Sequence, residues 1–308
     1  MKKNLILLFI CASIIISSCE KTSTELIPPE IIPDINVQKF GEDNTFEIAT
    51  WNIENFPLKD DYTIEALKTV IEQIDIDFIA VQEIASVNDF NKLLSELHGW
   101  SGGYSGDVYS SGSYQKTGYL YKTSMISVSD VHNIFENDSY AFPRPPLMFY
   151  VSVKDKNGTP FDFNMIVLHL KAMSGEDNEA RRRAAAESLK NFIDQEISAG
   201  NDGDFIVLGD WNDHLTDDES DNIFQVFLND SLHYEFLTNS LKGQYSYIST
   251  RYPTSLIDHI LITVDAENEY GDGLTKVLYL DEEFKEYPEF ISDHRPVAVK
   301  FSGFKLSY

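Results

Sequence analysis

Apolar residues along the chain alternate between a strand-like and a helix-like spacing from residue 46 to residue 301. Runs with a period of two, or continuous apolar runs, predict strands at 46–53, 77–81, 117–122, 147–154, 161–170, 204–208, 256–263, 276–280 and 296–301. Apolar residues that recur every three or four positions predict helices at 63–75, 87–97 and 178–197. Many strands with few helices predict an α/β fold of two packed sheets with helices outside, since each helix buries one stripe.

The first 18 residues carry the signals of a targeting segment. Lys2 and Lys3 precede an apolar run at 5–16, which is shorter than the roughly 20 residues that a membrane-spanning helix needs. Small residues end this run just before Cys19, and the ending resembles a bacterial lipobox. We therefore predict a lipoprotein signal peptide at 1–18 and a lipidated Cys19 that anchors the protein to the membrane in the bacterial cell envelope, at the outer membrane or cell surface. An uncleaved membrane anchor is the alternative.

Beyond the signal, composition separates a linker from a domain. Residues 19–43 contain three prolines and no sustained period, which predicts a flexible tether. Residues 44–308 have an ordinary globular composition and predict one large domain. Neither of the two cysteines falls in that domain, so no disulfide and no cysteine metal site is expected. No protein partner is implied, and we predict a monomer.

Charge limits the classes of substrate. The chain has 50 acidic and 24 basic residues, a formal charge of -26, and loss of Lys2 and Lys3 with the signal makes the charge more negative. Such a charge repels nucleic acid at long range. A nucleic acid substrate would therefore need a local basic strip and divalent cations, although acidity alone does not exclude a nuclease.

Polar side chains occur at the ends of several predicted strands in the first half of the chain. Asn52 and Glu54 are two residues apart and share one side of an extended segment, and Glu83 ends a hydrophobic strand. Carboxylate and amide oxygens suit Mg²⁺ or Mn²⁺, although a strand-end glutamate also forms ordinary salt bridges. His169 and Lys171 follow another strand and have the chemistry to touch a phosphoryl group, although a structural histidine and a surface lysine are the common alternatives.

A second group of polar residues lies in the C-terminal half. Asp210 and Asn212 share a face after a glycine, which suits the positioning of a water molecule but also an Asx turn. Asp258 lies in an apolar strand and needs a partner, and His294 in the segment S-D-H-R-P-V is the natural one. By strand alternation His259 faces away from Asp258 and is interpreted as structural.

Six short motifs occur in one order between about residue 46 and residue 302: W-N-I-x-N, Q-E, H-L-K, G-D-W-N-D, I-D-H-I and S-D-H-R-P-V. Together they resemble the endonuclease/exonuclease/phosphatase superfamily with the DNase I-like fold. This resemblance implies a four-layer α/β sandwich, in which two packed mixed β-sheets are flanked by helices. It also implies hydrolysis of phosphoester bonds with a divalent metal, Mg²⁺ or Mn²⁺.

The resemblance also implies roles for individual residues. Glu83 would be the principal metal ligand, with Asn52, Asp293 and Glu54 as further metal-site residues. Asp210 and Asn212 would orient the attacking water and assist the leaving group, and His169 would stabilise the phosphoryl oxygens. His294, held by Asp258, would act as a general base or as a charged stabiliser, and the sequence leaves these two roles open.

Other segments resemble bacterial extracellular nucleases of the superfamily, among them F-P-R-P-P-L with Arg144, the H-L-K motif with Lys171, and the arginine run that contains Arg182. These three residues are therefore predicted to bind substrate. Arg182 falls on the same helix side as Ala186 and Leu189, which suggests that it points inward. For the arginine run, an ordinary helix surface with carboxylate partners is an equal alternative.

Three hypotheses follow. The first is a metal-dependent phosphodiesterase, an extracellular endonuclease that acts on DNA or RNA. The second is a phosphatase or phospholipase C-like hydrolase of a small phosphorylated substrate. The third is a surface-binding lipoprotein without turnover, and the presence of every expected polar residue counts against it.

Overall fold

A computed structural model describes residues 34–154 and 160–303, so the predicted signal peptide, Cys19 and the tether up to residue 33 lie outside the described residues. The twelve strands of this part are β1 (Phe46–Phe56), β2 (Phe78–Ile84), β3 (Trp100–Tyr104), β4 (Lys116–Lys122), β5 (Ile126–Asn133), β6 (Leu147–Lys154), β7 (Pro160–His169), β8 (Phe205–Asp210), β9 (Tyr234–Phe236), β10 (Asp258–Thr263), β11 (Leu274–Val277) and β12 (Val297–Phe301). Its seven α-helices are α1 (Asp60–Ile74), α2 (Val87–Glu96), α3 (Glu176–Ser198), α4 (Gln225–Leu228), α5 (Glu267–Tyr270), α6 (Leu280–Glu283) and α7 (Tyr287–Phe290), with short 3₁₀ helices at Leu237–Leu241 and Val264–Ala266. Within these ranges no helix has the length and apolar character to cross a membrane.

The strands form two mixed six-stranded sheets. The first has the order β11-β12-β1-β2-β4-β3 and the second has the order β5-β6-β7-β8-β10-β9. The pairs β1–β2 and β7–β8 are parallel, and the other pairs are antiparallel. The predicted fold class, a four-layer sandwich of two packed mixed sheets flanked by helices, is confirmed.

Three apolar clusters fill the spaces between the four layers. The central cluster joins the two sheets and contains Phe46, Phe78 and Phe149. A second cluster packs α1 and α2 against the first sheet, and a third packs α3 against the second sheet. Because β2 and β8 are covered on both faces, their sequences are nearly continuous apolar runs up to the polar residues at their carboxyl ends.

Three strands were not predicted from the sequence, and all lie at sheet edges. β3 ends the first sheet, and β5 and β9 are the two edges of the second. An edge strand needs little apolar surface, and β5 is mostly exposed while β9 has only three residues. The periodic pattern therefore identifies the central strands and one edge strand, β11, and misses the other three edge strands.

The end of the predicted tether is part of the domain. Ile35, Val37 and Phe40 are buried in the cluster below α1. The Val37 amide donates to Gln73 Oε1 at 2.8 Å, and the Phe40 amide donates to the Ile74 carbonyl at 2.9 Å. The prediction of a flexible tether to residue 43 is thus wrong for residues 34–43, because alternate apolar residues in this short segment pack against the end of α1.

The arrangement of strands brings the polar motifs to one edge of the sandwich. Asn52, Glu83, His169 and Asp210 lie at or near the carboxyl ends of the two parallel strand pairs. β10 runs antiparallel to β8, so its first residue, Asp258, lies directly opposite Asp210. Residues just before β12 reach the same edge because β12 is antiparallel to β1.

A buried glutamate at the opposite end of β1 makes stability depend on pH. Burial raises the pKa of Glu47 from 4.5 to about 8, although hydrogen bonds from the Thr45 hydroxyl and the Glu42 amide oppose the rise. The Asp77 carboxylate adds to the increase. Since the folded-state pKa lies above the unfolded value, the folded state is favoured below pH 4.5 and loses stability as pH rises through about 8.

We expect Glu47→Gln to raise the melting temperature at alkaline pH, because glutamine keeps the acceptor oxygen and removes the buried charge. The gain over the unmodified protein should grow between pH 5 and pH 8 and then level off, reaching on the order of 1–3 kcal/mol. Thermal unfolding followed by circular dichroism at several pH values measures it. Glu65→Gln on the exposed side of α1 is the matched control, and an equal gain from both substitutions would contradict the prediction.

Candidate active site

The centre of the polar edge is a buried aspartate–histidine pair. His294 Nδ1 and Asp258 Oδ2 are 2.8 Å apart, and both side chains are buried. Burial by itself would lower the pKa of His294, but the charge and hydrogen bond of Asp258, together with the charges of Asp210 and Asp293, raise it to about 10. The sequence prediction that Asp258 takes His294 as its partner is confirmed.

The loop that carries His294 is tied to β1 by several hydrogen bonds. The Ser292 hydroxyl donates to the Asn52 carbonyl at 2.7 Å and accepts from the His294 amide at 2.9 Å. Trp51 Nε1 donates to the Tyr287 hydroxyl at 2.8 Å, and that hydroxyl donates to the His294 carbonyl. These contacts fix the imidazole at the end of the first sheet, opposite Asp258 in the second.

Asp210 lies between two histidines. Its Oδ2 atom is 3.9 Å from His294 Nε2 and 3.5 Å from His169 Nε2, and it accepts a hydrogen bond from Asn52 Nδ2 at 3.1 Å. Burial, followed by the charge of Asp258, raises the pKa of Asp210 to about 7. Burial also lowers the pKa of His169 well below its usual value, and the positive charges of Arg144 and His294 add to this effect. His169 is therefore a neutral imidazole, and its Nδ1 atom has no partner among the described residues.

Asn212 occupies the turn after β8. Its amide donates to Asp210 Oδ1 at 2.9 Å, which is an Asx turn, and its Nδ2 atom donates to the Leu170 carbonyl at 3.3 Å. The Asx turn, which was the structural alternative for this motif, is therefore present. Asn212 also lies next to Asp210, as the catalytic alternative requires. Asn212 holds Asp210 in place through its backbone and lies between the ends of β7 and β8.

The carboxylates of Glu54, Glu83 and Asp293 and the side-chain amide of Asn52 lie next to the aspartates and histidines described above. Asn52 Nδ2 donates to Glu83 Oε1 at 3.2 Å, and Glu54 Oε2 accepts from the Asp293 amide at 2.8 Å. Burial raises the pKa of Glu54 to about 7, and the charges of Asp293 and Glu83 contribute. Burial also raises the pKa of Asp293, and the Glu83 charge again contributes.

This donor set fits a divalent cation. Partly buried carboxylates that repel one another lose that repulsion when a cation binds between them, and an all-oxygen set suits Mg²⁺ or Mn²⁺. The four predicted metal-site residues, Glu83, Asn52, Asp293 and Glu54, are brought together. In addition, Asp210, Asp258 and His294 place ligand atoms within 4.8 Å of one another, so this buried cluster can also hold a metal ion.

The backbone is strained where these residues lie. Four of the nine non-glycine residues with positive φ angles in the described part of the chain lie here: Glu54 (36°), Asn55 (46°), Glu83 (68°) and Asn212 (56°). Such conformations cost about 1–3 kcal/mol each and concentrate at functional sites. This strain at the two glutamates could not be predicted from the sequence, because glutamate rarely adopts a left-handed backbone.

The three predicted substrate-binding cations have different surroundings. Arg182 is only 3% exposed and donates to Asp213 Oδ2 at 2.7 Å and to the carbonyls of Lys171 and Met173. Its predicted role in substrate binding is therefore corrected: this arginine supports the loop after β7. The prediction that the Arg182 side chain points inward was correct. The spacing of residues along the helix could not show that Asp213 would form an ion pair with it.

Arg144 and Lys171 remain at the site. Arg144 donates to the carbonyls of His169 and Leu170 at 3.1 and 2.6 Å, so its guanidinium braces the end of β7, and it has no carboxylate partner among the described residues. Within the same part of the chain, Lys171 Nζ donates to the Ala172 carbonyl alone. Burial lowers the pKa of Lys171, and the charges of Arg181, Arg144 and Arg182 lower it further, which reflects a local positive field.

Sequence reasoning missed Gln115, which joins this arginine to the metal-site carboxylates. Its Nε2 atom donates to Glu83 Oε2 at 3.2 Å and to Asn55 Oδ1 at 2.7 Å, and its Oε1 atom accepts from Arg144 at 3.2 Å. The Asn55 amide donates to the same Glu83 oxygen at 3.0 Å. Gln115 lies in a polar loop with no motif, so only its three-dimensional contacts identify it.

A family model for the endonuclease/exonuclease/phosphatase family matches residues 49–294. The chain therefore belongs to this family, whose members are phosphoester hydrolases that depend on a divalent metal. Among curated proteins, none matches the sequence.

Solved structures share the fold at low sequence identity. A mannosyl-6-phosphatase from Bacteroides thetaiotaomicron is 17% identical, with 82% of this chain and 98% of that chain covered and a TM-score of 0.61. The human nocturnin catalytic domain with bound sulfate is 19% identical, with 87% and 97% covered and a TM-score of 0.58. The 3′ phosphatase NExo from Neisseria, bound to a product DNA hairpin, is 17% identical, with 83% and 99% covered and a TM-score of 0.59.

We expect Gln115→Ala to weaken metal binding, because Glu83 loses a hydrogen bond that orients its carboxylate and loses its link to Arg144. Outer partners of metal ligands are typically worth about 10–100-fold in metal affinity or activity. Titration with Mn²⁺ followed by electron paramagnetic resonance measures the affinity directly, without turnover. Gln195→Ala on the exposed side of α3 is the control, and equal Mn²⁺ affinities for both variants would contradict the role of Gln115.

Proposed function

We propose that this protein is a phosphodiesterase dependent on Mg²⁺ or Mn²⁺, and that its substrate is DNA or RNA, which it cleaves as an endonuclease. The observation that carries the proposal is the convergence of the Asp258–His294 pair with Asp210 and with the carboxylates Glu83, Glu54 and Asp293. In-line displacement at phosphorus requires charge neutralisation, a placed water and proton transfer. This site has a chemical group suited to each of these tasks.

Each side chain has a role that follows from its contacts. Glu83, Glu54 and Asp293, aligned by Asn52, would hold the metal, which supplies charge neutralisation at the phosphoryl group when it is bound. Asp210, held by the turn at Asn212, orients the attacking water and accepts its proton.

The two histidines act on the phosphoryl group in different charge states. His169 is neutral and donates a hydrogen bond from Nε2 to a non-bridging oxygen. His294 gives its Nδ1 proton to the hydrogen bond with Asp258 and turns Nε2 towards Asp210. The carboxylate of Asp258 favours the protonated ring, and so we assign His294 the role of charged stabiliser.

A local basic strip supports a nucleic acid as the substrate. Arg144, Lys171 and Arg181 lie around the end of β7, and their hydrogen bonds go to neutral carbonyls, which leave the positive charges in place. Such a strip meets the requirement that the overall acidity imposes on a nuclease. Lys171 is the member best placed to contact a phosphate, since among the described residues its ammonium group donates only to the carbonyl of the next residue.

The second candidate is a phosphatase or phospholipase C-like hydrolase of a small phosphorylated substrate. It is favoured by the formal charge of -26, which disfavours a long polyanion away from the basic strip. The shared fold with a mannosyl-6-phosphatase is compatible with it. The same catalytic groups would serve both candidates.

The deciding experiment incubates the full chain with plasmid DNA, RNA and bis(p-nitrophenyl) phosphate, with Mg²⁺, with Mn²⁺ and with a chelator. We expect metal-dependent cleavage of all three, and His294→Ala should lower kcat by about 10²–10³-fold, because it removes a charged stabiliser of the phosphoryl group. Its melting temperature should also fall, because Asp258 loses its buried partner, and circular dichroism checks that the variant is folded at the assay temperature. His98→Ala, on the exposed loop after α2, is the control. Cleavage of the small diester alone would favour the second candidate, and no metal-dependent cleavage of any of the three would refute the nuclease.

We also propose that the protein is lipid-anchored in the bacterial cell envelope through Cys19. The basic pair Lys2 and Lys3, the short apolar run and the small residues before Cys19 support this location. Cys19→Ser should move the protein from the membrane fraction to the soluble fraction and prevent incorporation of labelled fatty acid, whereas Cys11→Ser should leave both unchanged. Membrane retention of the Cys19 variant, with no label in either protein, would instead support an uncleaved anchor.

A further inference from the structure

A small cavity adjoins the catalytic groups and has no role in the mechanism above. Its volume is about 210 Å³, and it lies between the loop after β8 and the segment that leads into β10. The lining residues are His214, Leu215, Thr216, Thr238, Asn239, Lys242, Gly243, Gln244, Tyr245, Thr254, Ser255 and Leu256. It is smaller than the roughly 300–1,000 Å³ of pockets for drug-sized ligands, so it has room for one ring system.

The walls of the cavity begin close to the reacting groups. His214 is two residues from Asn212, and Leu256 is two residues from Asp258, so the Cα atoms of each pair are at most about 7 Å apart. The segment containing Tyr245 and Ser255 also contacts the site, because Tyr247 pairs with Ser255 and its ring centroid lies 5.0 Å from that of His294. The walls of the cavity therefore belong to the same segments that carry Asn212 and Asp258.

The floor of the cavity is rigid. His259, predicted to be structural, is buried, and its ring nitrogens contact the Thr238 hydroxyl at 3.1 Å and the Asp213 carbonyl at 3.0 Å. Because a carbonyl can only accept, Nε2 carries the proton and Nδ1 accepts from Thr238. One histidine thus links the 3₁₀ helix Leu237–Leu241 to the loop after β8, and both of these segments line the cavity.

The lining has an unusual charge for this chain. No aspartate or glutamate is among the lining residues, although the chain has 50 of them, while one lysine and one histidine are present. The side chains of Asn239 and Gln244 form no hydrogen bonds within the described part of the chain, so their donors and acceptors are available to a ligand. Tyr245 adds a ring that is 43% exposed.

We propose that this cavity binds one unstacked nucleobase of the substrate next to the scissile phosphate. Amide side chains carry a donor and an acceptor side by side, which matches the edge of a base, and a tyrosine ring offers a stacking surface. The positive charge of Lys242, and the absence of carboxylates from the lining, favour binding of the phosphate group of the same nucleotide. The inference rests on the proposed nuclease function and adds to it a preference for single strands, because a base in a duplex must first be unstacked and unpaired.

The test uses the full chain with Mg²⁺ or Mn²⁺ and a labelled single-stranded oligonucleotide in which one abasic residue is moved along the sequence. For the unmodified protein, an abasic residue at one position beside the cleaved bond should lower kcat/KM by about 10-fold or more, since a good base contact is worth this much. In the double variant Asn239→Ala/Gln244→Ala, the same abasic residue should lower kcat/KM little further. Gln195→Ala should retain the full abasic effect, and the duplex should be cut more slowly than the single strand.

An abasic effect of equal size in the double variant and the unmodified protein, or no abasic effect at any position, would overturn the inference. Binding of the same oligonucleotides to His294→Ala in chelator, followed by fluorescence anisotropy, reports on base recognition without turnover. Failure of the proposed function is a different result, namely no metal-dependent cleavage of any phosphodiester. If glucose 6-phosphate competes with bis(p-nitrophenyl) phosphate and the double variant removes that competition, the cavity binds a sugar and the base assignment is wrong.

Discussion

Two buried carboxylates facing one another are the constraint on which the rest of the site depends. Asp210 and Asp258 are directly opposed on β8 and β10, and like charges in this position destabilise a sheet. The positive charge that offsets them comes from His294, which precedes β12 in the other sheet. Charge compensation therefore crosses the interface between the sheets and requires both to be in place before the site exists. Packing alone gives no reason to place two aspartates in such a position.

A second constraint concerns the metal-site carboxylates, which lie beside that buried pair. Burial disfavours ionisation of both Glu54 and Asp293, and the negative charge of Glu83 adds to this effect, although the charge of His294 opposes it. Hydrogen bonds from the Asp293 amide to Glu54, and from the Asn55 amide and Gln115 to Glu83, orient the carboxylates but do not neutralise them. A bound divalent cation would neutralise these carboxylates, in agreement with the metal dependence of the family.

The sequence was informative where local pattern and burial act together. An aspartate in an apolar strand requires a partner, and this requirement identified His294 across 36 residues. In contrast, the predicted roles of Arg144 and Arg182 depended on which distant oxygen atoms their guanidinium groups would meet, and periodicity carries no information on that choice. Gln115 and three of the four edge strands were missed for a related reason. The structural role of a polar loop residue or an exposed strand depends on neighbours that are remote in sequence. The same holds for the apolar segment at 34–43.

The left-handed backbone at Glu54, Asn55, Glu83 and Asn212 has a consequence for protein engineering. Residues in costly conformations at the catalytic edge hold back stability that substitutions relaxing these turns would release, while moving the oxygen atoms that the chemistry needs. Stabilisation without loss of activity should therefore be sought away from this edge, and thermostable descendants that stay active should keep these unfavourable turns.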